Sequence, residues 1–224
     1  MDLLEAARER HSVRDYLAKP LGDEIIAELK SYIAGLNAQS GLNMQLAINE
    51  PKAFGSLKAR LLPHYGSFRN AVNYVAIIGK KNASTLEKCG YYGEQLVLKA
   101  QQLGLNTCWI GGSYKKVPSA FDIAEGESIL AAILTGYGEN CGKPHRSKSV
   151  PDVLKAKDDV PDWVIRGAEC ALLAPTAINQ QKFVIEFDGE NVAVRAKRGP
   201  FSTVDLGIVK YHFELGSGRK LQIG

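Results

Sequence analysis

Apolar residues fall at helical spacing at the start of the chain, at Leu3, Leu4 and Ala7, and predict a short helix running into the basic turn "RERHSVRDY". A second helix is predicted in "PLGDEIIAELKSYIAGL", where Ile25, Ile26, Leu29 and Ile33 share one face. "MQLAI" is strand-like, and "NYVAIIG", Asn73 to Gly79, is apolar through its middle, as a strand covered on both faces would be. The clearest helix is "EKCGYYGEQLVLKAQQLGL", with Leu96, Ala100 and Leu103 on one face and Gly104 as its C-terminal glycine. "TCWI" reads as a short strand before Gly111 and Gly112, and "SILAAILTGYG" as a buried strand opening into the basic segment "GKPHRSKSVPDVL". From Pro161 the pattern partly restarts, with a helix in "DWVIRGAECALL", a strand in "KFVIEF", the turn "DGEN", a strand in "VAVRA" and a last helix in "VDLGIVKYHFELG". That order of elements predicts an α+β chain.

Two internal echoes accompany the restart. Ala38, Asn43 and Gln45 match Ala174, Asn179 and Gln181 at one constant spacing, and Val97, Leu103 and Gly104 match Val209, Leu215 and Gly216 at another. The end of the chain therefore imitates part of its beginning. The stretch "ALLAPTAINQQKFVIEF" also poses a chemical question, because Thr176, Asn179, Gln180 and Gln181 stand between two apolar runs.

Composition changes the picture mainly by exclusion. The 224 residues, 45% hydrophobic and 23% charged, suffice for one sizeable core without disulfides. Cys89, Cys108, Cys141 and Cys170 are scattered with no CxxC pair, which argues against a zinc ribbon or thioredoxin motif and for reduced thiols. "MDLLEAARER" lacks the apolar core of a signal peptide, and no window approaches the roughly 18 apolar residues of a membrane span. A soluble, cytoplasmic protein with no membrane partner is expected. The net charge of +4, without an Arg-rich stripe interleaved with aromatics, makes no case for nucleic acid.

Candidate chemistry follows from a few short motifs. "GSGRK" at Gly216 follows a helix and has no βαβ unit after it, so it is not a dinucleotide loop. "GYGENCGKP" is not a P-loop, because Tyr137 stands where the first glycine is needed and Pro144 follows Lys143. His11, His64, His145 and His212 have no metal-ligand spacing, and no metal site is expected. Arg10, Ser12 and Arg14 lie at the junction of a helix with a turn, where guanidinium forks, a hydroxyl and backbone N–H groups can converge on a phosphate. A solvated basic face is the alternative reading. Lys143, Arg146 and Lys148 sit just past a buried strand, the place of a ligand loop or of plain surface charge. "WIGG" is either a simple turn or a close approach of backbone to a flat ligand, and Thr176 and Asn179 either cap turns or meet that ligand.

Taken together and in order, "RHSVRDY", "YYGEQLVLKAQQLGLNTCWIGG", "LTGYGENCGKPHRSKS" and "APTAINQQKF" resemble the nitroreductase family of flavin mononucleotide (FMN) enzymes. One feature departs from the family pattern. The Ala-Pro-small-small-x-Asn-x-Gln motif, which in ordinary members follows soon after the N-terminal basic motif, is degraded there to "AQSGLNMQ" and stands intact only in the second half. Ordinary members are homodimers with flavin at the subunit interface. The resemblance implies a nitroreductase-like α+β fold, a central mixed or antiparallel sheet flanked by helices, in a compact branch where one chain mimics the dimer. Residues 1–155 would be the nitroreductase-like half with the phosphate site, and 156–224 a second pseudo-subunit half packed on it.

The same resemblance implies the roles. Arg10, Ser12 and Arg146, with Lys148 nearby, would bind the flavin phosphate, and Arg14 would face the pyrimidine edge. Backbone at Ile110, Gly111 and Gly112 would approach the ring, while Pro175, Thr176, Ala177 and Asn179 would cover it from the other half. The flavin carries the chemistry, so no catalytic side chain is obligatory. NAD(P)H as co-substrate would reduce it, and a small-molecule acceptor such as a nitroaromatic or quinone would be reduced in turn, in ping-pong order. A monomer with one non-covalent FMN is expected. Rival readings are a flavin-sequestering protein without turnover, a different redox reaction on the same scaffold, and an anion-binding or nucleic-acid-binding module without flavin.

Overall fold

The computed structural model describes residues 1–51, 68–111, 121–157 and 159–224. In chain order the elements are α1 (Leu3–Glu9), α2 (Asp23–Ser40), β1 (Asn43–Ala47), β2 (Tyr74–Lys80), α3 (Ala83–Gln102), β3 (Asn106–Ile110) and β4 (Glu127–Gly136). There follow α4 (Val150–Val153), β5 (Leu154–Ala156), α5 (Asp162–Ala171), a 3-10 turn (Ala177–Asn179), β6 (Phe183–Phe187), β7 (Val192–Ala196) and α6 (Ser202–Ser217). Mixed α+β structure is thus what forms, with the strands divided between two sheets. The chain separates into two compact units. One comprises Arg10–Asn82 and Leu96–Lys143, and the other Met1–Glu9, Ala83–Gln95 and Pro144–Gly224. No helix among the described residues is long and apolar enough to cross a membrane.

In the first unit a four-stranded antiparallel sheet has the order β1-β2-β4-β3. The two inner strands are the continuous apolar runs, buried from Tyr74 to Gly79 and from Ile129 to Gly136, as strands covered on both faces must be. A register shift after Ile77 leaves Leu130 as an extra residue on β4. Helix α2 runs four residues past the predicted apolar stretch, because nothing breaks it before Gly41, whose N–H closes the last turn on the Asn37 carbonyl at 3.0 Å. Its buried face is Leu29, Ile33, Leu36 and Ser40, while Ile25 and Ile26 are only half-buried.

In the second unit β5 and β6 pair in parallel and β6 and β7 antiparallel. Phe183, Ile185 and Phe187 face the core, where Trp163 of α5 packs edge-on against both Phe187 and Phe213 of α6. The predicted turn "DGEN" forms because the Asp188 carboxylate accepts the Glu190 and Asn191 N–H groups at 3.0 and 2.7 Å. Helices α5 and α6 lie close, since Gly167 leaves room for the Phe213 ring and Gly216 for the Arg166 carbonyl.

Candidate functional site

In the first unit the basic motif is an extended segment rather than a turn with free backbone donors. Helix α1 ends at Glu9, Ser12 bridges Thr107 of β3, and the Val13 N–H donates to the Thr107 carbonyl at 3.0 Å. The far side is tied to Arg69, whose N–H donates to the Arg14 carbonyl and whose carbonyl accepts the Tyr16 N–H, both at 3.0 Å. Val13 and Tyr16 are buried, and the Tyr16 hydroxyl donates to the Val13 carbonyl at 2.8 Å. Arg10 is buried, Ser12 half-buried and Arg14 exposed.

The structure brings these three residues together around Cys108, for which nothing in the sequence beyond a lone thiol signalled this place. Burial pushes the Cys108 thiol above its ordinary range, while the Arg14 and Arg10 charges and a hydrogen bond from Ser12 pull it back. Gly142 is required beside them, with φ of 76°. A Cβ there would meet His11 Cβ at 2.7 Å and the Ser12 carbonyl oxygen at 3.2 Å, so only glycine lets the chain lie on this segment. At the end of β3, Ile110 is buried and Gly111 exposed, and Gly112 lies outside the described residues. No cluster of metal-binding side chains occurs among the described residues.

In the second unit the structure joins the other predicted residues, Arg146 and Lys148, to the loop from Pro175 to Gln181. The Asn179 side-chain amide donates to the Arg146 carbonyl at 2.8 Å. The Lys148 N–H donates to Gln181 Oε1 at 2.8 Å, and Lys148 Nζ to the Gln181 carbonyl at 2.7 Å. Thr176 Oγ1 accepts the Gln181 N–H at 3.0 Å, and Gln181 Nε2 donates to Ser147 Oγ and Asn179 Oδ1 at 3.2 and 3.3 Å. The polar residues between the two apolar runs therefore spend much of their hydrogen bonding on holding this loop and its basic neighbour in one shape. The Ile178 side chain is 60% exposed, and Arg146 and Lys148 are exposed residues, with Lys148 Nζ spending one donor on the loop.

The loop backbone is strained. Ile178, Asn179 and Gln181 have φ of 49°, 52° and 44°, a region that side-chain-bearing residues enter rarely and β-branched ones least of all. Each such residue costs on the order of 1–3 kcal/mol unless its surroundings over-determine it. Here the surroundings include Asp205 of α6, whose carboxylate accepts the Ala177 N–H at 2.9 Å and Gln180 Nε2 at 2.7 Å. Burial raises the Asp205 carboxyl to about 6, and these two hydrogen bonds oppose the rise. A lone Asp in a first helical turn gave no sequence signal for this role. Gln181 did give one, because it repeats Gln45.

The chain belongs to the family described as "Putative TM nitroreductase", which matches residues 2–217. No curated protein matches it. Among solved structures it is similar to a "putative nitroreductase" from Thermotoga maritima, 22% identical over 96% of this chain and 83% of that one, with a TM-score of 0.68. It is also similar to a "putative nitroreductase" in complex with FMN from Desulfovibrio desulfuricans, 20% identical over 72% of this chain and 99% of that one, at 0.51. A nitroreductase with bound FMN from Desulfitobacterium hafniense is 16% identical over 66% of this chain and 95% of that one, at 0.52. At these identities the likeness establishes the nitroreductase fold.

Proposed function

We propose that the protein is an FMN-dependent oxidoreductase that takes electrons from NAD(P)H and passes them to a nitroaromatic, a quinone or a similar small acceptor. Family membership supports an oxidoreductase in general terms. The observation that carries the cofactor is the chemistry of the donor set. The side chains of Arg10, Arg14, Arg146 and Lys148 offer only cationic donors, and Ser12 adds a hydroxyl, a set suited to a phosphate and ill suited to a neutral ligand. In this reading Arg10, Ser12 and Arg146 bind the phosphate with help from Lys148, and Arg14 stabilises negative charge on the pyrimidine edge. Backbone at Ile110 and Gly111 approaches the ring, and the loop of Pro175, Thr176, Ala177 and Asn179 covers it. Bound FMN supplies the electron-transfer chemistry, so no protein acid, base or nucleophile is needed. The chain is further proposed to act as a monomer, residues 156–224 standing in for a second subunit, with one flavin per chain and cytoplasmic residence.

Purified protein should be yellow and release FMN on denaturation, and anaerobic NADH or NADPH should bleach it. Arg10→Ala or Arg146→Ala should each weaken FMN binding by roughly tenfold to a hundredfold, about 1.5–3 kcal/mol. Arg195→Ala, which removes a charge already paired with Glu186, should change binding little. Light scattering with flavin quantitation should give one FMN per monomer. Colourless protein that refuses added FMN would sink the cofactor assignment, and an obligate dimer that loses flavin on dilution would sink the one-chain site.

A further inference from the structure

We infer that Gln181 is a positioning residue: with Asn179 it clamps the backbone of Arg146–Lys148, fixing where the two cationic side chains stand without itself touching ligand. The inference rests on the FMN reading above and deepens it. Gln181 is 2% exposed, so its side chain is not available to a ligand in solvent. Its Oε1 accepts the Lys148 N–H, its carbonyl accepts Lys148 Nζ, and its Nε2 ties Ser147 to Asn179, whose own amide takes the Arg146 carbonyl. Backbone groups of the held segment and one Lys148 Nζ donor are thereby consumed, while Arg146 stays exposed. Among the described residues the Arg146 guanidinium has no hydrogen-bond or ion-pair partner, and Lys148 Nζ uses one of its three donors. A cation held this way loses less freedom when it binds an anion than one on a loose loop, and that saving appears as affinity.

The first unit contains the same device with different cargo. Gln45 Oε1 accepts the Asp122 N–H at 2.9 Å, Gln45 Nε2 donates to Asn43 Oδ1 at 3.0 Å, and the Asn43 amide donates to the Asp122 carbonyl at 3.0 Å. The arrangement resembles that of Asn179 and Gln181 at the positions where the sequence repeats, although here both amides grip one residue, the Asp122 carbonyl also accepting Gln45 Nε2 at 2.6 Å. The clamped residue there is an acid, which would repel a phosphate. The clamp is therefore a backbone device whose function depends on what the held segment carries, and its second copy is a built-in control.

The test compares two ligands on the apoprotein, FMN and riboflavin, which share the ring and differ by the phosphate. Gln181→Met keeps the side-chain volume and removes the side-chain hydrogen bonds to Lys148, Ser147 and Asn179, leaving the main-chain ones. It should weaken FMN binding at least tenfold, change riboflavin binding less than twofold, and remove the hydrogen-exchange protection of the Lys148 amide. Gln45→Met should leave the FMN-to-riboflavin ratio as in the wild type. If Gln181→Met does not fold, Ser147→Ala, which removes only the Gln181 Nε2 bond to Ser147 Oγ, should show the same selective loss of FMN at smaller size. Equal loss of both ligands, or no loss of either, overturns the positioning role. Wild-type protein that binds neither flavin overturns the FMN reading and this role with it, an outcome read before any variant is made.

Discussion

Alanine at Gly207 should cost the protein about 2 kcal/mol of stability, and leucine at the same position should leave no folded protein. In the second unit, Gly207 of α6 and Gly90 in the first part of α3 meet backbone to backbone. A Cβ at Gly207 would run into the Glu87 carbonyl and come within 2.6 Å of the Tyr91 nitrogen, and one at Gly90 would run into the Val204 carbonyl. These neighbours are main chain, so no rotamer change relieves the overlap and the helices must separate. Separation would loosen the polar contacts that flank the crossing, where the Lys210 ammonium donates to Glu87 and the Tyr91 hydroxyl donates to Glu214 at 2.7 Å. Alanine returns about 1 kcal/mol in helix propensity, which is why its net cost stays modest while that of leucine does not. Gly35→Ala is the control of opposite sign. It sits mid-helix in α2 with nothing within 4 Å of its Cβ position, and should raise the urea midpoint by about 0.5–1 kcal/mol worth of stability. A Gly207→Ala midpoint at or above the wild type would refute the close crossing.

Most elements were legible because their apolar pattern and their breakers agree. Strand β7 falls where "VAVRA" predicts it, and α3 stops just short of Gly104. The misses have physical reasons. Helix α4 and strand β5 are four and three residues long, too short to show either periodicity, and α4 is set by a capping box between Ser149 and Asp152 inside what reads as a basic loop. The segment after Glu9 is extended because Val13 and Tyr16 are buried and paired across to β3 and Arg69, partners far along the chain that no local window contains. Around Pro175 the residue types were visible but their use was not. Positive φ at Ile178 runs against the preference of a β-branched residue, and it is sustained by neighbouring bonds to Asp205 and Gln181 that only the folded chain supplies. The repeated Asn-x-Gln was visible as letters. Its meaning, a pair of amides that grips a passing backbone, required coordinates.

Glu94→Gln should destabilise the protein by about 2–3 kcal/mol at neutral pH, because the buried His212 imidazole loses the partner that holds its proton. His212 Nε2 lies 2.9 Å from Glu94 Oε1, and both side chains are fully buried. Burial alone would lower the His212 imidazole, but hydrogen bonding with Cys170 and Glu94 and the Glu94 charge hold it up at about 9. Nδ1 has no well-formed hydrogen bond among the described residues, so the upward direction rests chiefly on Glu94. At pH 7 the His212 imidazole therefore holds its second proton. Since the folded group holds its proton more tightly than the unfolded one, near 6.5, its stabilisation is complete below that value and is lost as pH rises through about 9. The full span is worth about 3 kcal/mol. Asp205, also raised in the folded state, has the same sign at lower pH. Its contribution is present below 3.8 and is lost as pH climbs through about 6. Urea midpoints should accordingly fall between about pH 4 and 6, level off, and fall again above about pH 7. In Glu94→Gln the alkaline fall should vanish, because the unpaired imidazole is neutral before that range is reached, while the acid-side fall at Asp205 remains. A Glu94→Gln variant that keeps the wild-type alkaline limb would show that His212 does not carry the proton.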